Sequence, residues 1–294
     1  MDSSTLPSDR FAAFFAIDWS GAKGSRQRGI AIASCEPGKA APALVRPGHV
    51  WSRTEVLDWL LHDLPYNSLV GMDLSPSLPF ADCGAFFPGW DESPQDARAL
   101  WALVDRLAAD DAHLAATSFV DHPEASRHFR RHGGRTGDRF GSGAGRFRRV
   151  EDRQRGHKLS PYSCMNLIGA AQVGKSSLTG MRMLRRLNGQ LAVWPFDELP
   201  ARGSVIVEIY TSLAARRAGV AQGRSKLRDA VTLDAALGEL GSDSHTPLER
   251  YTDHVTDAIL TAAWLRGAAR DPALWNPKGL GEVRHTEGWT FGVL

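Results

Sequence analysis

Cysteine is scarce in this 294-residue chain, and Cys35, Cys83 and Cys164 lie far apart with no CxxC spacing. That excludes a disulfide framework and a recognisable zinc site, and it suits a reducing, cytoplasmic compartment. Long apolar runs are missing too: no stretch approaches the roughly 20 residues needed to span a bilayer. The apolar start from Phe11 to Ile17 follows Asp9 and Arg10 and runs straight into Asp18, so it reads as a strand and not as a signal peptide. No membrane partner is expected, and nothing implies an obligate protein partner. Net charge is close to zero at +2, which by itself favours no class of partner. Low-complexity sequence and internal repeats are absent, and 43% hydrophobic with 23% charged residues is the balance of a folded globular chain.

What is present reads as alternating elements. Phe11 to Trp19 is β-prone, Ser20-Gly21 turns, and Gly29 to Ala33 resumes the apolar run, as in a hairpin. Leu44 to Val50 is a third candidate strand. Thr54 to Leu64 spaces Val56, Trp59, Leu60 and Leu64 as a helix, and Ser68 to Asp73 returns to strand. Ser93-Pro94 is a candidate helix start before the period of Ala97, Leu100, Trp101 and Val104. From Arg127 to Lys158 the apolar pattern gives way to glycine and arginine, as in a loop or partly disordered insertion. Beyond it come a helix near Ser176 to Leu187, strands at Leu191 to Trp194 and Ser204 to Tyr210, helices near Lys226 to Leu240 and Pro247 to Gly267, and a short last strand at Gly288 to Val293. The order predicts an α/β fold: a mixed β-sheet, antiparallel meander first and parallel strands after, flanked by helices. Residues 1–294 form one domain in this reading, with 75–160 a helical and Arg/Gly-rich insertion within it.

Acidic residues fall where such a sheet gathers its chemistry. Asp18 ends the first strand and Asp73 the fourth; as parallel neighbours they bring their carboxylates together at the C-terminal strand ends. Asp253 and Asp257 are four apart on a helix and share a face. Glu208 sits inside Val205 to Tyr210, where an acid among β-branched residues must be paired, metal-bound or on an edge facing water. Turn and cap chemistry also explains any one aspartate alone. The arrangement of five, rich in oxygen and free of cysteine, suits Mg²⁺ or Mn²⁺.

Five segments carry a resemblance. Ala16 to Ala22, Val207 to Tyr210 and Asp253 to Ala258, with Leu191 to Asp197 and Glu287 to Gly292, resemble stretches of the bacterial domain-of-unknown-function family 429, described as predicted nucleases of ribonuclease H-like fold. The likeness runs from residue 11 to the C-terminus. It implies a carboxylate active site with Asp18 as the first-strand metal ligand, Asp257 and Asp253 as helix ligands, Asp73 as the fourth-strand acid and Glu208 on the acid-bearing strand. Ribonuclease H proper adds a glutamate on its first helix, where this chain offers Glu55 or Asp58 without a convincing match.

Two further signals bear on function. Between Arg127 and Lys158 eleven basic residues face three acids, a local charge of +8, with Phe129, Phe140 and Phe147 interleaved. That composition suits phosphate neutralisation and base stacking, and marks Arg130, Arg131, Arg146, Arg148 and Arg149, with Lys175, as candidate nucleic-acid contacts; the plainer alternative is a solvated loop. Gly169 to Ser176 satisfies GxxxxGK[ST], though the preceding run, Pro161 to Ile168, is a poor strand.

The expectation is therefore a nuclease in which two metal ions roughly 4 Å apart are bridged by Asp18 and held by Asp73 and Asp257, with Asp253 or Glu208 completing the set. The alternatives are a nucleotide-binding phosphotransferase or ATPase using Gly169 to Ser176, and a non-catalytic nucleic-acid-binding module on the same fold.

Overall fold

The structure, a computed structural model, describes residues 10–168, 173–221 and 227–294. Among these a six-stranded sheet has β1 (Ala13–Asp18) beside β2 (Ala31–Cys35) and β4 (Ser68–Asp73). β3 (Ala43–Leu44) lies outside β2; β6 (Val205–Glu208) and then β5 (Ala192–Trp194) lie beyond β4. The order is 3-2-1-4-6-5, antiparallel from β3 to β1 and parallel from β1 to β5. β4 has the bounds expected from its sequence, whereas β3 stops after two residues. The last short strand reduces to a single bridge between Thr290 and Glu208.

Successive side chains of a strand point to opposite faces, and β1 supplies both. Phe15 and Ile17 pack with α1 (Arg53–His62), α2 (Ala97–Leu107) and α5 (Val173–Arg186). Phe14 and Ala16 pack on the other face with α6 (Thr211–Arg217), α7 (Ala230–Glu239) and α8 (Asp253–Ala268). Gly71 of β4 lets this second layer approach: a Cβ there would lie 2.7 Å from Ile209 Cγ2 and 3.3 Å from Leu265 Cδ2. The helix expected after Ser93-Pro94 starts at Ala97, capped by the Asp96 carboxylate, which accepts from Ala99 N at 2.8 Å.

The arginine-rich stretch is a loop in part: residues 129–148 run through turns, bends and isolated bridges, with Arg130 bridging both Thr136 and Asn166, and the correction to the sequence expectation is α4 (Arg149–Gly156), which follows. Two short helices, α3 (Thr117–Asp121) before it and α9 (Pro272–Trp275) near the end, carry no period long enough to read in advance, nor does α10 (Leu280–Val283). Phe86, Phe87, Phe119, Phe129 and Phe140 of the insertion are buried in the same core as Phe15 and Trp101. Residues 75–160 thus extend one sheet face. No helix among the described residues is long and apolar enough to cross a membrane.

Candidate active-site cleft

Asp18 and Asp73 are register partners at the C-terminal ends of parallel neighbours β1 and β4. α8 runs back across the sheet and starts beside them. Thr252 caps it, and Asp253 in its first turn faces the positive end of the helix dipole. Asp257 follows one turn on. Of these acids Asp73 lines a cleft of about 410 Å³, together with Ser75, Glu151, Glu208, Tyr210 and His254.

The electrostatics follow from the crowding. Burial, then Asp18, Asp257 and Glu208, push the Asp73 carboxyl well above the usual range, against a hydrogen bond from Thr211. His254 Nδ1 lies 3.3 Å from Asp18 Oδ1, and that hydrogen bond holds the imidazole pKa above its ordinary value, with Asp18, Asp257 and Asp253 adding to it. Asp253 pairs with Arg228 at 3.2 Å.

Glu208 has another occupation. Arg148 Nη1 and Nη2 donate to its two oxygens at 2.8 and 2.5 Å, and Thr290 Oγ1 donates to Oε1 at 2.8 Å. Arg148 also donates through Nε to Glu151 at 2.9 Å, and Arg148 and Glu208 side chains are 1% and 5% exposed. Of the sequence options for an acid in this strand, pairing is the one realised. That corrects the expectation of a catalytic, metal-completing Glu208.

The same geometry corrects two of the nucleic-acid contacts. Arg148 is buried in this network. Arg146 donates to Asp82 and to the carbonyls of Pro79, Ala85 and Phe86, leaving its side chain 9% exposed. Neither reaches solvent in a way a phosphate backbone needs, and Phe129 and Phe140 are in the core and offer no stacking face. Arg130 lies over the Phe140 ring and donates to Gly143 O. Arg131 pairs with Asp121 at 2.9 Å and the exposed Arg149 with Glu282 at 2.5 Å. Glu55 is turned to the α1 cap and Arg26, away from the cleft.

Sequence reasoning passed over Glu151 and Gln154, which reach the cleft from α4 inside the arginine-rich stretch, where composition alone reads as loop. Glu151 at the third helical position, where it accepts from Arg148 N at 2.9 Å, is half of a capping box and was the available signal. Of the phosphate-loop pattern, residues 169–172 lie outside the described residues. Val173 to Ser176 form the first turn of α5, where Gly21 N donates to Ser176 Oγ at 3.1 Å and Lys175 Nζ shares a 2.9 Å hydrogen bond with His132 Nε2.

The donors offered to an ion are hard oxygens, which suits Mg²⁺ or Mn²⁺. Among the described residues, no group of three or more His, Cys, Asp or Glu side chains stands at the spacing that holds a metal ion. Asp18 and Asp257 are near enough to Asp73 for their charges to bear on it.

The fold and this cleft define an α/β protein with a mixed, helix-flanked sheet and a carboxylate pair at the ends of adjacent parallel strands. No protein-family model, no curated protein and no solved structure matches the chain.

Proposed function

We propose that the chain is a metal-dependent phosphodiesterase of ribonuclease H-like fold that acts on nucleic acid. The observation that carries this is the in-register pair Asp18 and Asp73, with Asp257 delivered beside them by α8. The strand order 3-2-1-4-6-5, antiparallel then parallel, is compatible with that fold, and so is the resemblance of the segments around Asp18, Glu208 and Asp257 to family 429.

Asp18, Asp73 and Asp257 are the residues that would hold Mg²⁺ or Mn²⁺. When bound, such an ion supplies a more acidic water and neutralises charge at the phosphate. The chain's own residues do the rest. Arg148 holds Glu208 and Glu151 so that the cleft wall keeps its shape. His254, its pKa held above the ordinary value by Asp18, stands at the cleft edge where it would meet a phosphate oxygen. Asp253, held by Arg228, adds negative potential without closing on the pair.

Purified protein with Mn²⁺ should cleave one or more of single strands, duplexes, hybrids and junctions, and Asp18→Asn should reduce turnover to background. Full activity in Asp18→Asn refutes the proposal. Salt-sensitive binding with no metal-dependent turnover in wild type favours the non-catalytic binding module instead.

A further inference from the structure

A second pocket, of about 200 Å³, opens on the other side of Gly21-Ala22 from the acidic cleft. Both pockets include these two residues, and α5 separates them: Val173 and Ser176 face the cleft, Lys175, Leu178 and Thr179 the second pocket. The dividing loop is fixed. Arg53 Nη1 donates to Ser20 O and Ala22 O at 3.0 Å, and a Cβ on Gly21 would lie 2.3 Å from Ser176 N, so only glycine fits.

The charge of the second pocket is one-sided. Lys23, Arg53, Arg131, Arg135 and Lys175 line it against one carboxylate, Asp121, which already pairs with Arg131. Arg53 is 1% exposed, and among the described residues its hydrogen bonds go to backbone carbonyls and none to a carboxylate. Burial and the neighbouring Arg182 bring its pKa down to about 10. Burial and Lys23 likewise lower Lys175. Cations drawn together this way are stabilised by an anion. Beneath them the wall is apolar, built from Ala115, Ala116, Val120, Leu167 and Leu178.

We propose that this pocket binds one unpaired nucleotide of the substrate strand, its phosphate on Lys23, Arg135 and Lys175 and its base against the apolar wall. The inference rests on the nucleic-acid reading of the acidic cleft and narrows it: the strand crosses Gly21-Ala22, so the next phosphodiester lies over Asp18 and Asp73. A duplex keeps its bases stacked and cannot offer an apolar face to a concave wall, so the preferred substrate is single-stranded or has an extruded nucleotide.

The test uses a 3′-fluorescein-labelled dT decamer in EDTA, which separates binding from turnover. Wild type should bind it with a steep salt dependence. Lys23→Ala/Arg135→Ala, both exposed positions, should weaken binding by about tenfold or more and reduce the salt slope by about 1 to 2. Thymidine 5′-monophosphate should compete better than either thymidine or inorganic phosphate. Unchanged affinity in the double variant overturns the proposal, as does a blunt duplex binding equally well. Phosphate competing as well as the mononucleotide reassigns the pocket to a free anion and also overturns it. Metal-dependent cleavage with an unaltered KM in the double variant sinks this pocket and leaves the nuclease reading standing. Pocket-dependent binding without cleavage does the reverse.

Discussion

Replacing Asp73 with asparagine separates a carboxylate kept for metal from one kept for structure. Adjacent strands lie about 4.8 Å apart, and Asp18 and Asp73 are direct register partners. Two carboxylates about 5 Å apart at an effective dielectric near 20 repel by about 3 kcal/mol. Asp73 eases that cost by taking up a proton more readily than an ordinary aspartate, so less than the full repulsion bears on the folded state. Asp73→Asn keeps the shape and removes the charge, so in EDTA it should melt higher than wild type by about 3 to 5 °C. Metal reverses the order. An ion at about 100 times its Kd stabilises wild type by about 2.7 kcal/mol, and the variant should lose that gain. Thermal melting with EDTA and with Mn²⁺, using the exposed Asp58→Asn on α1 as control, reads both effects. A variant that melts lower than wild type in EDTA while keeping the full Mn²⁺ response would refute the reasoning, because Asp73 would then be a structural acid.

Two other expectations concern the insertion. Removing the cation in Arg148→Met leaves Glu151 and Glu208 buried without their partner, at a cost of about 3 to 5 kcal/mol in urea unfolding; a loss below about 1 kcal/mol would show the network to be dispensable. His128 is buried against Phe87, neither ring nitrogen has a hydrogen-bond partner among the described residues, and burial followed by the charges of Arg146, Arg139 and Arg127 brings its pKa down to about 4. Because the folded pKa lies below the unfolded one, the unfolded chain gains the proton first. Stability from this residue is complete above about pH 6.5 and falls by about 3 kcal/mol as pH drops to about 4. His128→Phe should flatten that part of the stability profile, and an identical slope in the two proteins would count against it.

The sheet was legible because its cues are local. β4 could be bounded by Ser68 and Asp73 from its apolar run and the Ser75-Pro76 turn alone. The pairing of Asp18 with Asp73 followed from two strands ending in acids and one rule of α/β topology. α6 went unread because Thr211–Arg217 is seven residues with little apolar period, held in place by α8 and not by its own pattern. Glu208 shows where local reading ends. Its cost as a mid-strand acid was visible, but its partner lies 60 residues away in a stretch whose composition suggests solvent.

That stretch also shows why charge counting misjudged the insertion. An arginine reads the same in sequence whether it faces water or carbonyls, and Arg146 and Arg148 face inward. They hold the insertion down on the strand ends, with the buried Glu287 accepting from Phe80 N, Ala81 N and Arg149 N at 2.7 to 2.8 Å. The inward arginines thereby set the walls that the outward ones need: α4 brings Glu151 and Gln154 to the cleft, while Arg131 and Arg135 reach the basic pocket across Gly21-Ala22. The local charge of +8 is thus divided between building an acidic cleft and lining a basic pocket next to it. A substrate that joins a phosphodiester over the acids to a phosphate among the cations matches both halves of that division.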